Sequence, residues 1–302
     1  MKIEITELLD LTHEQAALID MHSVLNIMNV LLNELEYLQE VLRESKALQP
    51  ALDTIQQIRE HLRSSNDIGV ELGHLLKCED RVMGVVRVVI DTHPEAADNL
   101  DVEDSVSNLQ SVFAILHTRV RELLERVHAP EKWTDHDIEQ LTANFTNVLA
   151  AIEKNSKGRY RIVHNIAEQE QQDYMVNFMI ESVDGNAIHM PSVLQDVMRD
   201  LIANARKYTE PGGEITAGLV DNGKELRFVV EDSGRGIPAD EVQQVVEFGK
   251  RGSNVDDKAT MGGGFGLTKA YLMARRFGGK MWIDSDPGVG TRITLSIPRP
   301  TP

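Results

Sequence analysis

The chain has 302 residues, 41% hydrophobic and 26% charged, values of a soluble globular protein with room for two domains. Its net charge of −17 argues against a nucleic-acid binder or a binder of anionic membranes, since both need a basic surface. Cys78 is the one cysteine, which excludes an internal disulfide and a cysteine metal cluster. No apolar run reaches the roughly 20 residues of a bilayer span. The start MKIEITELLD lacks the basic and apolar blocks of a signal peptide, so the expectation is a cytoplasmic chain without a membrane span.

The first half reads as helix. Apolar residues at 18, 21, 24, 25, 28, 31, 32, 35 and 38 form one stripe at helical spacing. Pro50 suits the first turn of a second helix, whose looser stripe runs Leu52, Ile55, Ile58, Leu62, Leu72 and Leu76. Val82 to Ile90 fits either a buried helix or a strand. Val102, Val106, Leu109, Phe113, Leu116, Val120, Leu123 and Val127 predict a third long helix. Thr134 is a candidate cap for a fourth, with Ile138, Leu141, Phe145, Val148 and Ile152 at 3-4 spacing.

The pattern changes near Gly158. Tyr160–Ile166 and Tyr174–Ser182 have strand composition, and Met190–Tyr208 is an amphipathic helix. Four more strands are predicted at Glu214–Val220, Glu225–Glu231, Lys280–Ser285 and Thr291–Ile297, with turn signals at Asp221-Asn222-Gly223 and Asp286-Pro287-Gly288. The predicted class is α+β: a helical bundle over residues 1–157, then an α/β sandwich over 158–302.

Three clusters in the second half carry chemistry. Asp200, Asn204 and Lys207 share one helical face, where a carboxylate, an amide and an amine suit a metal-bound phosphate chain. Asp232, at a strand end, can accept a hydrogen bond from an exocyclic amine, and Gly234 and Gly236 after it let the backbone approach a ligand. Gly262, Gly263, Gly264 and Gly266 open an apolar helix, and free amides at a helix N-terminus cradle phosphate. Alone, each is an ordinary turn or loop. Their order and spacing resemble the asparagine box and two glycine boxes of the ATPase family that unites histidine kinases, gyrase B, Hsp90 and MutL. Phe248-Gly-Lys-Arg251-Gly resembles the F box of histidine kinases, and Lys207-Tyr208-Thr209 the end of their asparagine box.

The resemblance covers about residues 174–298. It implies that ATP sits under a lid between Phe248 and Gly264, with Asn204 coordinating Mg²⁺ and Asp232 reading the adenine amino group. Gly234 and Gly236 would shape the adenine pocket, Gly262, Gly264 and Gly266 would wrap the phosphates, and Lys207 and Arg251 would supply cations. Tyr208 would pack beside the base. One departure is Asp200, where sensor kinases often carry Asn and the gyrase and Hsp90 branches a water-activating Glu; a metal ligand and a base are both open for it.

A lone histidine on a helix is by default a solvated side chain. His22, however, heads a polar stripe with Asn26, Asn29 and Asn33 beside the apolar one. That register resembles the dimerisation helix of histidine kinases, with His22 as a solvent-facing acceptor and Asn26 where the family holds a dephosphorylating water. Ser23 stands where most such kinases have an acid, and His13, followed by Glu14, is a rival acceptor. The resemblance implies a homodimeric kinase that uses ATP and Mg²⁺ to phosphorylate His22 and then a response regulator aspartate, with phosphatase activity as a further expectation. Residues 77–157 would either extend the bundle or take input from a separate sensor protein. Two alternatives are a serine kinase like the mitochondrial dehydrogenase kinases, and a scaffold with a degenerate ATP fold.

Overall fold

The computed structural model describes residues 2–43, 46–64, 68–93, 99–128, 131–156, 158–255 and 264–300. They form two compact units, one of residues 20–130 and one of residues 1–19 with 131–302.

The unit of residues 20–130 is helical. It comprises most of α1 (His13–Val41) with α2 (Gln49–Ser64), α3 (Ile68–Leu75), α4 (Cys78–Asp91) and α5 (Leu100–His128). The α1 stripe is core: Val24, Met28, Leu31, Leu35 and Leu38 have no exposed surface. By length and composition α1 is apolar enough to cross a membrane, contrary to the expectation from its sequence. Burial of its stripe within the chain is how a core helix meets that criterion. It also covers the face that would have called for a second copy. Arg59 of α2 donates to Asn29 at 2.9 Å and Ser105 of α5 to Glu34 at 2.5 Å, so α1 is pinned by polar contacts on two sides. The Val82–Ile90 ambiguity resolves as helix, because Val82, Val86 and Val89 are buried at 4-3 spacing while Val88 is exposed. The predicted second helix is two, α2 and α3.

The other unit is a seven-stranded sheet in the order β1-β8-β9-β7-β6-β4-β3, covered by α6 (Ile138–Asn155), α7 (Ser192–Tyr208) and α8 (Gly266–Arg276). The strands are β1 (Lys2–Glu4), β3 (Ile162–Val163), β4 (Tyr174–Ser182), β6 (Glu214–Asp221), β7 (Glu225–Asp232), β8 (Lys280–Asp286) and β9 (Gly290–Pro298). Strands β3, β4 and β6 run parallel and the remaining pairs antiparallel. Alternation decides the layering. Ile215, Ala217 and Leu219 of β6 and Leu226, Phe228 and Val230 of β7 are buried, and so are Leu194, Val197, Met198 and Leu201 of α7. Their neighbours in sequence point to the other face of the sheet.

Three expectations need correcting here. The compact units do not divide at Gly158: β1 and α6 belong with the sheet, so the helical unit is an insertion between two parts of the sandwich. Strand β1 pairs with β8, and Ile5 is buried in the sandwich core. Thr134 caps no helix. It lies in β2 (Trp133–Asp137), which pairs with β5 (Ala187–Pro191), and the cap of α6 is Asp137, which accepts from Gln140 N at 2.8 Å. Of the predicted strand Tyr160–Ile166, only Ile162–Val163 is paired.

Candidate functional site

The three clusters converge on one end of the sandwich. Helix α7 brings Asp200 and Asn204 to face α8, and Gly266 begins α8 directly against them. A Cβ on Gly266 would stand 2.6 Å from Asn204 Nδ2 and 3.7 Å from Asp200 Cβ. The last turn of α7 meets the first glycine box: Arg235 N donates to Tyr208 O at 3.2 Å, and a side chain on Gly234 would begin 2.5 Å from that same oxygen. Gly236 has φ +69°, and a side chain there would run into the Asp286 carbonyl. Asn254 Nδ2 donates to Gly236 O at 2.9 Å and steadies this turn.

The F box and the second glycine box also meet. The rings of Phe248 and Phe265 stack at 4.6 Å, and Gly264, with φ +78°, leaves room for Lys250 O. Gly262 and residues 256–263 of the lid lie outside the described residues.

Titratable groups at this end of the sandwich are shifted from their ordinary values. Asp232 accepts from Gly234 N at 2.9 Å and from the Thr291 amide, while burial raises its pKa to about 6. Lys207 sits 5.1 Å from the Tyr208 ring centroid. Burial, then the charges of Arg251 and Arg206, lower the Lys207 pKa to about 8. Burial also raises the Tyr208 hydroxyl, against a lowering by Arg251. Crowded cations of this kind are relieved by a polyphosphate.

Sequence reasoning missed the groups behind this face. Lys269 of α8 is 3% exposed and places Nζ 3.2 Å from Asp196 and 3.1 Å from Asp200. Arg199 holds the other oxygen of Asp196 at 2.6 Å. The signal in the sequence was slight: a lysine one turn into α8, beside the apolar residues Ala270, Tyr271 and Met273. Asp200, open between metal ligand and base, is thus in an ion pair. Among the described residues no three His, Cys, Asp or Glu side chains gather as a metal site. A cavity of about 260 Å³, lined by Phe145, His164 and Phe178 among others, lies apart from all three clusters.

In the helical unit, His22 is half-buried rather than solvent-facing, and its Nε2 is 3.1 Å from Asn26 Nδ2. Ser23 Oγ is shielded from solvent and has no hydrogen-bond partner among the described residues.

Residues 190–301 match the family described as histidine kinase-, DNA gyrase B- and HSP90-like ATPase. The match covers 112 of the chain's 302 residues and includes the three clusters. Within the family its likeness is to sensor histidine kinases. It is 36% identical over 107 residues to sensor histidine kinase WalK of Bacillus subtilis, covering 35% of this chain and 18% of WalK. It is 27% identical over 202 residues to the adaptive-response sensory kinase SasA of Synechococcus elongatus, covering 64% of this chain and 49% of SasA. The chain thus spans half or less of the length of these relatives. The solved structure of full-length ShkA with AMPPNP aligns at a TM-score of 0.47 and 19% identity, over 78% of this chain and 46% of ShkA.

Proposed function

We propose that this protein is a cytoplasmic two-component histidine kinase that phosphorylates His22 from ATP and passes the phosphoryl group to an aspartate of a response regulator. The observation that supports the reading is the match of residues 190–301 to the ATPase family together with 36% identity to a sensor histidine kinase over 107 residues, and Asp200, Asn204 and Gly266 adjoin one another within that stretch.

In this reading Asp232 accepts from the adenine amino group, and Tyr208 packs beside the base. Lys207 and Arg251 neutralise the phosphates, and the amides of Gly264 and Gly266 cradle them. Asn204 fits a Mg²⁺ ligand through its side-chain oxygen, since the contact with Gly266 is made by its Nδ2; the remaining ligands would be phosphate oxygens and water. The ion when bound would offset charge developing on the phosphates. Asn26, as donor to His22 Nε2, selects the tautomer protonated at Nδ1, and this hydrogen bond has to break before the Nε2 lone pair attacks the γ-phosphorus. The bond to the β-phosphate oxygen breaks as the N–P bond forms, and ADP leaves with the electron pair.

A homodimer, a separate sensor protein and phosphatase activity through Asn26 complete the reading. With the α1 stripe already covered, a dimer needs another surface, and light scattering at twice 33.8 kDa is the expected result. The deciding experiment is incubation with γ-labelled ATP. An acid-labile, base-stable product absent in His22→Ala is expected. Phosphoserine on a partner with His22 unlabelled would select the dehydrogenase-kinase alternative, and failure to bind ATP the scaffold.

A further inference from the structure

Asp200 is one turn from Asn204 on the same face of α7, and the missing side chain of Gly266 abuts both. A carboxylate so placed beside a phosphate cradle is a natural base for water. Yet its Oδ2 is held by Lys269 at 3.1 Å, and Lys269 is itself fixed by Asp196 at 3.2 Å, which Arg199 grips in turn. Two acids and two bases thus form one buried, charge-balanced chain between α7 and α8. Buried ion pairs of this kind stabilise little compared with an apolar pair, so stability alone gives weak reason for burying Lys269.

From this geometry we infer that Lys269 is a positioning residue that sets the choice of acceptor: by holding Asp200 in an ion pair, it withholds from the ATP site a base for water. The inference rests on the reading of this domain as an ATP site. Without Lys269, the freed Asp200 carboxylate takes a proton from water. The water oxygen bonds to the γ-phosphorus, the bond to the β-phosphate oxygen breaks, and ADP and inorganic phosphate leave. With Lys269 in place that route is slow, and the γ-phosphoryl is kept for a protein acceptor.

The test uses the full chain. Phosphate release from Mg·ATP is measured together with ATP affinity by calorimetry and unfolding by urea. Lys269→Met should raise phosphate release by about tenfold or more, part of what a well-placed general base supplies. Lys269→Arg should keep release low. In the Lys269→Met, Asp200→Asn double variant the gain should vanish, and its unfolding midpoint should shift by less than the sum of the single shifts. Should Lys269→Met fail to fold, Lys269→Gln, which can still bond Asp196 without the charge, takes its place and should show the same gain. Unchanged release in a folded Met or Gln variant that binds ATP overturns the inference, as does a gain that survives Asp200→Asn. Failure of the unmodified protein to bind ATP overturns the ATP-site reading and the inference with it.

Discussion

The side-chain amide of Asn204 stands 2.6 Å from where a Cβ on Gly266 would be. The two belong to different helices and to different sequence clusters, and their contact joins the asparagine box to the start of α8. Gly266→Ala should push the amide aside, since a side-chain terminus yields more readily than backbone. Nucleotide affinity should fall by about tenfold, the equivalent of one lost polar contact, while stability changes by no more than about 1 kcal/mol. Calorimetry and urea unfolding on the same samples check both parts.

Gly236 behaves differently, because its obstacle is the Asp286 carbonyl and its φ is +69°. Gly236→Ala adds backbone strain to overpacking, each worth about 1–3 kcal/mol, and should lower the urea midpoint clearly. A midpoint equal to that of the unmodified protein would show that the turn adapts at no cost.

Asp232 links pH to function. Burial raises its pKa from 3.8 to about 6, so the folded protein holds this proton more tightly than the unfolded chain. Its contribution to stability is full below pH 3.8 and is lost as pH rises through about 6. At pH 7 the ionised carboxylate should cost about 1–3 kcal/mol, so Asp232→Asn should raise the unfolding midpoint there and less so at pH 5. The same substitution should weaken ATP, which needs the ionised acceptor. In the unmodified protein, affinity should drop as pH falls below about 6. Calorimetric titrations from pH 5 to 8 test this.

Lys207, lowered to about 8, is partly neutral at pH 8.5, roughly half a unit above that value. Phosphate beside it restores the charge, so ATP binding at that pH should take up protons, and Arg251→Ala should reduce the uptake by raising Lys207 in the free protein. Heats of binding in buffers of different ionisation enthalpy measure it. No proton uptake would remove Lys207 from the phosphate site.

Ser23 follows His22 directly, and its Oγ is shielded and lacks a hydrogen-bond partner among the described residues. Ser23→Glu should therefore destabilise the helical unit by burying a carboxylate, while Ser23→Ala should be neutral or stabilise by up to about 1 kcal/mol. Thermal unfolding of the two variants separates these outcomes. A Glu variant of full stability that labels faster would show that the site admits an acid.

The sequence by itself determined what depends on one element at a time. The α1 stripe and the alternation of β6 and β7 were legible because periodicity is local. Even the joining of the clusters was legible only through resemblance to a family. Tertiary structure decided whatever needed a partner distant in the chain. Three residues, Lys2–Glu4, are a strand only because β8 offers an edge, with Gln243 clasping Glu4 and Thr6 and the Tyr271 hydroxyl bonded to Glu7. Thr134 reads as a helix cap until β5 pairs with it. Lys269 reads as one more exposed cation of α8 until Asp196 and Asp200 close around it, 73 and 69 residues away along the chain. Burial and pairing at such separations are set when the chain folds back on itself, and no local pattern encodes them.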